Sequence, residues 1–89
     1  AIGDAIILST YRLKKSQAKS KLILLLTDGV SNMGKIDMKT ASETAREFQI
    51  KIYTIGIGKD LGVVSETDFQ ALKEISEITN GKFYRAIDE

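Results

Sequence analysis

Five apolar residues in an unbroken run, Leu22 to Leu26, form the most hydrophobic segment of the chain. A run without a polar face is typical of a strand buried on both sides, as in a parallel sheet between two layers of helices. It is too short to cross a bilayer, so it predicts a central strand. Its carboxyl end delivers Asp28 to the edge of the sheet, where open α/β sheets place their ligand sites.

The first predicted helix runs from Ala1 to about Lys15. It carries two apolar stripes at helical spacing, and the second stripe needs a cover, because a surface helix buries only one. The first stripe consists of Ile2, Ala5, Ile6, Ser9 and Leu13, and the second of Ile7, Leu8 and Tyr11.

The second predicted helix follows Asp37, a favourable N-cap residue, and runs to about Gln49. The third opens at Ser65, where Asp68 three residues later completes a capping-box pattern, and stops at Asn80-Gly81. The expected buried positions are Met38, Ala41, Ala45 and Phe48 in the second helix and Phe69, Leu72, Ile75 and Thr79 in the third.

Two more strands are predicted, one over Ile50 to Ile57 and one over Lys82 to Ile87, the latter near a sheet edge because apolar and polar residues alternate. Loops are expected over residues 16–20, 30–36 and 59–64. The order is helix-strand repeated three times, so two right-handed crossovers give three adjacent parallel strands, with helices expected on both faces. The sequence therefore predicts one α/β domain.

Composition narrows the classes of function that the chain could have. The 89 residues are 43% hydrophobic and 28% charged, with a formal net charge of +1 and neither cysteine nor histidine. The near-neutral charge argues against nucleic acid as a partner, and the missing residue types exclude thiolate and imidazole metal sites. There is no signal peptide and no apolar run of ~18 residues, so a soluble chain is expected.

Two motifs lie at predicted strand ends. Asp28-Gly29 is explained equally well by a turn and by a functional carboxylate, and its position favours the carboxylate. Gly56, Gly58 and Lys59 superficially resemble a phosphate loop, although Tyr53 stands where that motif needs a glycine. A close approach of the backbone explains these glycines better, but a small phosphate- or nucleotide-binding α/β enzyme stays the alternative.

Four blocks of sequence together resemble the von Willebrand factor A-type domain, in particular its bacterial aerotolerance (BatA-like) branch. They are Ala-Ile-Gly-Asp-Ala-Ile (1–6), Leu-Leu-Leu-Thr-Asp-Gly-Val-Ser-Asn (24–32), Ile-Tyr-Thr-Ile-Gly-Ile-Gly (52–58) and Gly-Lys-Phe-Tyr-Arg-Ala (81–86). The resemblance spans the whole chain in order. It implies a three-layer, Rossmann-like parallel sheet, of which residues 1–89 form the C-terminal part.

The resemblance also implies a function. The family carries a metal-ion-dependent adhesion site that binds Mg²⁺, and only one of its ligands, Asp28, has a counterpart here. The family's Asp-x-Ser-x-Ser motif does not occur in the chain, and its threonine would fall just before Ala1. Since Mg²⁺ holds weakly to a single carboxylate, these residues alone are expected to bind none.

The expected protein is therefore a non-enzymatic interaction module of a membrane-anchored parent in the bacterial cell envelope. Its partner would be a protein, with an acidic side chain on the metal. In the family order the strand Leu22–Leu26 has neighbours on both sides, and one of them is absent from this chain. An unpaired apolar strand edge is a template for pairing, so self-association through Leu22–Leu26 is also expected.

Overall fold

The computed structural model describes residues 2–27, 37–59 and 66–88. Helices and strands alternate, as the sequence predicts. They are α1 (Ile2–Leu13), β1 (Lys21–Thr27), α2 (Met38–Glu47), β2 (Ile50–Lys59), α3 (Glu66–Ile78) and β3 (Phe83–Asp88). The predicted loop over residues 30–36 and the predicted cap Ser65 lie outside the described residues.

The three strands form one parallel sheet in the order β1-β2-β3. The register of β1 on β2 runs from Lys21 opposite Ile50 to Thr27 opposite Gly56. β3 pairs with the second half of β2, from Thr54 opposite Phe83 onward. The α/β class and the open parallel sheet are confirmed, and β3 lies at an edge as predicted.

All three described helices pack on one face of this sheet. The core cluster joins one face of β1 and β2 to every helix, and its buried members are Ile6, Ile23, Ala41, Ala45, Ile50, Ile52, Leu72 and Ile75. The described residues therefore form two of the three layers of a Rossmann-like architecture. The expectation of helices on both faces is not met within them. The reason is geometric: right-handed crossovers that step in one direction, β1 to β2 to β3, leave their helices on the same side.

The second face of the sheet is called the open face here; its apolar residues are Leu22, Leu24, Leu26, Tyr53, Ile55, Ile57 and Tyr84. Successive side chains of a strand alternate between faces, so the leucine run is divided. Ile23 is buried under the helices, whereas Leu24 on the open face is 62% exposed. The prediction of a central strand buried on both sides is therefore wrong for the described residues, in which β1 is an edge strand.

Helix ends follow the sequence closely. The side chain of Asp37 accepts hydrogen bonds from the backbone N–H of Thr40 at 3.2 Å and from its hydroxyl at 3.3 Å, which confirms the predicted N-cap. Asn80 has a positive φ of 59°, and the N–H of Gly81 donates to the carbonyl of Ser76 at 2.8 Å. This is the left-handed stop predicted for α3.

The buried stripes are predicted less evenly. Phe69, Leu72 and Ile75 of α3 and Thr79 directly after it are all buried, as expected. In α2, Ser42 is buried and Phe48 is 40% exposed, because Phe48 lies past the end of the helix. In α1 the buried positions are Gly3, Ile6 and Thr10, so the stripe is rotated from the predicted one and Ala5 is exposed.

Two buried threonines bind α3 to β2. The hydroxyl of Thr79 accepts a hydrogen bond from the N–H of Ile52 at 2.8 Å. The hydroxyl of Thr54 donates to the carbonyl of Leu72 at 2.9 Å. β3 begins to pair with β2 at Thr54, two residues after Ile52. Without Thr79, the buried N–H of Ile52 would therefore lack this hydrogen-bond acceptor.

We predict that Gly81→Ala lowers the free energy of unfolding by about 1–3 kcal/mol, the usual cost of overpacking. A Cβ at Gly81 would lie 1.9 Å from the carbonyl oxygen of Ile52, and a backbone atom cannot rotate away. Urea denaturation measures the change. Lys82→Ala, at the exposed neighbouring position, is the control and should stay within ~0.5 kcal/mol. Equal stability of Gly81→Ala and the parent would contradict this packing.

Candidate functional site

The carboxyl ends of the strands define one edge of the molecule, called the carboxyl edge here. β1 ends at Thr27, whose register partner Gly56 lies in β2, and β2 and β3 end opposite each other at Lys59 and Asp88. Asp28 follows Thr27 directly in the sequence but lies outside the described residues. The carboxylate of Asp37 caps α2, so its role in the described structure is to stabilise the start of that helix.

The described residues contain no group of three or more Asp, Glu, His or Cys side chains that could hold a metal ion. Mg²⁺ requires six oxygen ligands in near-octahedral geometry, several of them water. The described part of the chain therefore does not by itself fit such an ion. Asp28 stays a predicted ligand.

Gly56 serves helix packing. A Cβ at this position would lie 2.7 Å from the ring of Phe69 and 3.1 Å from a methyl group of Leu72. The missing side chain thus lets α3 approach β2 closely, which explains this glycine without a phosphate.

An aromatic and cationic cluster beside Gly56 was not predicted from the sequence. The guanidinium carbon of Arg85 lies 3.8 Å from the centroid of the Phe69 ring, within the range of a cation–π contact. Phe69 and Phe83 meet edge to face, with ring centroids 6.2 Å apart. The signal that could have found the cluster is the spacing of Phe83 and Arg85, two residues apart on one face of a strand.

The open face carries four of the seven large hydrophobic side chains that the described residues expose. Leu22, Leu24 and Leu26 are each at least half exposed, and Tyr84 on β3 is 51% exposed. Because contiguous apolar patches on soluble proteins mark interaction sites, this face is a candidate interface. None of the described helices has the length and apolarity that crossing a bilayer requires.

Comparison with known proteins identifies the family. The model of the von Willebrand factor type A domain matches residues 1–89, which is the whole chain. The chain belongs to the von Willebrand factor A family. The predicted family is thereby confirmed.

Solved relatives agree with this assignment. The conserved hypothetical protein BatB from Bacteroides thetaiotaomicron has the same fold, with a TM-score of 0.77, 23% identity, and coverage of 100% of this chain and 52% of BatB. An uncharacterized membrane-spanning protein from Vibrio fischeri aligns with a TM-score of 0.67, 29% identity, and coverage of 97% of this chain and 48% of that protein.

One curated relative, an uncharacterized protein of Borreliella burgdorferi, is 33% identical over the whole of this chain, which corresponds to 31% of the relative. This von Willebrand factor A chain thus spans about half the length of the two solved relatives and about a third of the curated one. Domains of the family are usually non-catalytic, mediate protein interactions and typically carry a metal-ion-dependent adhesion site.

Proposed function

We propose that this chain is the C-terminal part of a non-catalytic, metal-ion-dependent adhesion domain that binds a protein partner at its carboxyl edge. Asp28 is one ligand of the Mg²⁺ ion, and the remaining protein ligands come from sequence outside these 89 residues. An acidic side chain of the partner completes the coordination. The domain belongs to a membrane-anchored protein of the bacterial envelope, a proposal supported by its likeness to a membrane-spanning protein of Vibrio fischeri.

The end of β1 carries this proposal. β1 pairs with β2 along its whole length and ends at Thr27. We therefore expect the residue that follows Thr27 in the sequence at the carboxyl edge, where α/β sheets hold their ligands. A carboxylate there has the hard oxygen that Mg²⁺ prefers. The alternative, a phosphate- or nucleotide-binding enzyme, loses support because Gly56 is occupied with the packing of Phe69.

Asp28→Asn tests the adhesion site in a domain of the length of the solved relatives, with this sequence as its C-terminal half. We expect Mg²⁺-dependent capture of an acidic protein ligand to fall by at least about tenfold, because an amide is a poorer ligand than a carboxylate, a loss of ~1.4 kcal/mol. The free energy of unfolding should change by less than ~0.5 kcal/mol, since the substitution keeps the size of the side chain and comes after the last residue of β1.

Asp37→Asn is the matched control. It makes the same chemical change near the same edge, and asparagine still caps α2, so capture should persist. Capture that survives both Asp28→Asn and chelation of Mg²⁺, or a variant that no longer folds, would contradict the proposal.

Calorimetric titration of the 89-residue chain alone with millimolar Mg²⁺ should show no saturable binding.

We propose in addition that the 89-residue chain associates with itself through β1. In the described sheet β1 has a partner strand on one side only, and its exposed leucines adjoin the unpaired side. A twofold axis perpendicular to the sheet would join two copies through antiparallel β1 strands. The joined sheet would be six-stranded, and its two leucine rows would be adjacent.

Sedimentation velocity at micromolar concentration should therefore detect a dimer. Leu24→Lys should raise its dissociation constant by at least about tenfold, equivalent to ~1.4 kcal/mol, because it puts a charge in the middle of the contact. Gln70→Lys adds the same charge at an exposed position of α3 and should leave the dimer intact. A folded monomer with fast amide exchange along residues 22–26 would refute self-association.

A further inference from the structure

The amino ends of the strands gather positive charge. Residues 12–21 contain five of the chain's 13 basic residues and no acidic residue, although the whole chain has a net charge of only +1. The five are Arg12, Lys14, Lys15, Lys19 and Lys21. The fold adds Lys51, which lies next to Leu22 in the register of the sheet. Charge is thus distributed unevenly over a nearly neutral molecule.

A groove of about 370 Å³ lies among these residues. Three lysines line it together with Gln49 and Tyr53: Lys19 from the loop before β1, Lys21 from β1 and Lys51 from β2. Its described lining includes no carboxylate. Opposite charges that would neutralise the lysines are therefore missing from its described walls, which suits an anionic ligand.

Exposed aromatic and aliphatic side chains lie on the helical side of the same end of the sheet, whereas Leu22, Lys51 and Tyr53 line the groove from the open face. The ammonium nitrogen of Lys14 lies 4.5 Å from the ring centroid of Tyr11 and 5.4 Å from that of Phe48, so it bridges α1 and the end of α2. The Nζ of Lys21, which lines the groove, donates to the carbonyl of Lys14 at 3.5 Å, so both groups of side chains belong to this end of the molecule. Tyr11 is 51% exposed, and Leu8, one turn earlier, is 57% exposed.

Helix dipoles explain only part of this arrangement. α1 and α2 both end here, and cations at helix C-termini are favourable, which accounts for Lys14 and Lys15. Lys19 lies in a loop and Lys51 in a strand, so neither caps a helix. Both are exposed, and their position beside half-exposed apolar side chains needs another explanation.

We propose that this basic and aromatic edge docks on a bilayer that contains anionic phospholipid. Lysines near such a surface are attracted to lipid phosphates, while tyrosine, phenylalanine and leucine side chains enter the interface between headgroups and acyl chains. Single-stranded nucleic acid is the less favoured polyanion, because the chain as a whole has a formal net charge of only +1 and lacks the strongly basic character of nucleic-acid-binding domains.

This surface lies at the opposite end of β1 from Thr27, about 20 Å away for the seven residues of the strand. Docking would therefore direct the carboxyl edge away from the bilayer. The inference does not rest on the proposed metal site, and either can fail without the other.

Co-sedimentation of the 89-residue chain with vesicles tests the proposal. Vesicles of equimolar phosphatidylglycerol and phosphatidylcholine should bind the chain, and vesicles of phosphatidylcholine alone should not. Each lysine near an anionic surface is worth about fivefold in partitioning, so Lys19→Glu with Lys51→Glu should weaken binding at least tenfold. Lys39→Glu with Lys73→Glu makes the same charge change at exposed positions of α2 and α3 and should bind like the parent.

A second pair of variants tests the apolar side chains. Tyr11→Ser should weaken binding severalfold, whereas Tyr84→Ser, equally exposed on the open face, should not. Circular dichroism verifies that each variant is folded. The proposal would be overturned by equal losses of vesicle binding in the lysine variant and its control, or by binding to neutral vesicles. It would also be overturned by full competition from millimolar inorganic phosphate, or by tighter binding to a single-stranded oligonucleotide.

Discussion

The direction of the chain's crossovers determines what this structure can bind. Both crossovers step the same way across the sheet, and crossovers between parallel strands are right-handed, so α2 and α3 cover the same face. α1, which precedes β1, packs into the same core through Ile6. That face holds the core, with Ile23, Ile50 and Ile52 beneath the helices. The opposite face keeps a row of leucines in contact with solvent. An unbroken apolar strand with only one covered face thus marks an interface.

The contact of α3 with β2 is held together by close packing and by hydrogen-bonded hydroxyl groups. Gly56 and Gly81 let α3 and its C-terminal turn approach β2 within distances that any side chain would prevent. Thr54 and Thr79 supply hydrogen bonds across the same seam. A buried polar group without a partner costs free energy. The two hydrogen bonds therefore favour this position of α3 on β2.

Local signals in the sequence predicted the parts of the fold that depend on neighbouring residues. The cap at Asp37, the stop at Asn80-Gly81 and the buried stripe of α3 each rest on residues a few positions apart, and each is confirmed. Burial of β1 on both sides and helices on both faces were predicted wrongly, because both depend on which strands lie next to each other. The unpaired edge of β1 was expected only from the order of strands in the family. The groove with Lys19 and Lys51 was missed for the same reason, since its lysines come from a loop and from two strands that are far apart in the sequence of a nearly neutral chain.

The candidate metal site is the least determined by these residues. The sequence offers one carboxylate directly after β1, and the proposal that Asp28 is a metal ligand comes from the family resemblance, not from the pattern of residues. The chain matches only about half of its solved relatives' length, so the other ligands depend on sequence outside it. The proposed interface on β1, by contrast, consists of described residues and can be tested with this chain alone.

Cysteine crosslinking tests that interface most directly, since the natural chain has no cysteine. Leu24 is the midpoint of Leu22–Leu26, so in an antiparallel pair of β1 strands the two copies face each other with Cα atoms about 5 Å apart, within disulfide range. Under mild oxidation the account predicts a disulfide-linked dimer of Leu24→Cys and a monomer of Glu43→Cys, an exposed position on α2. Equal crosslinking of both variants, or none in either, would contradict it.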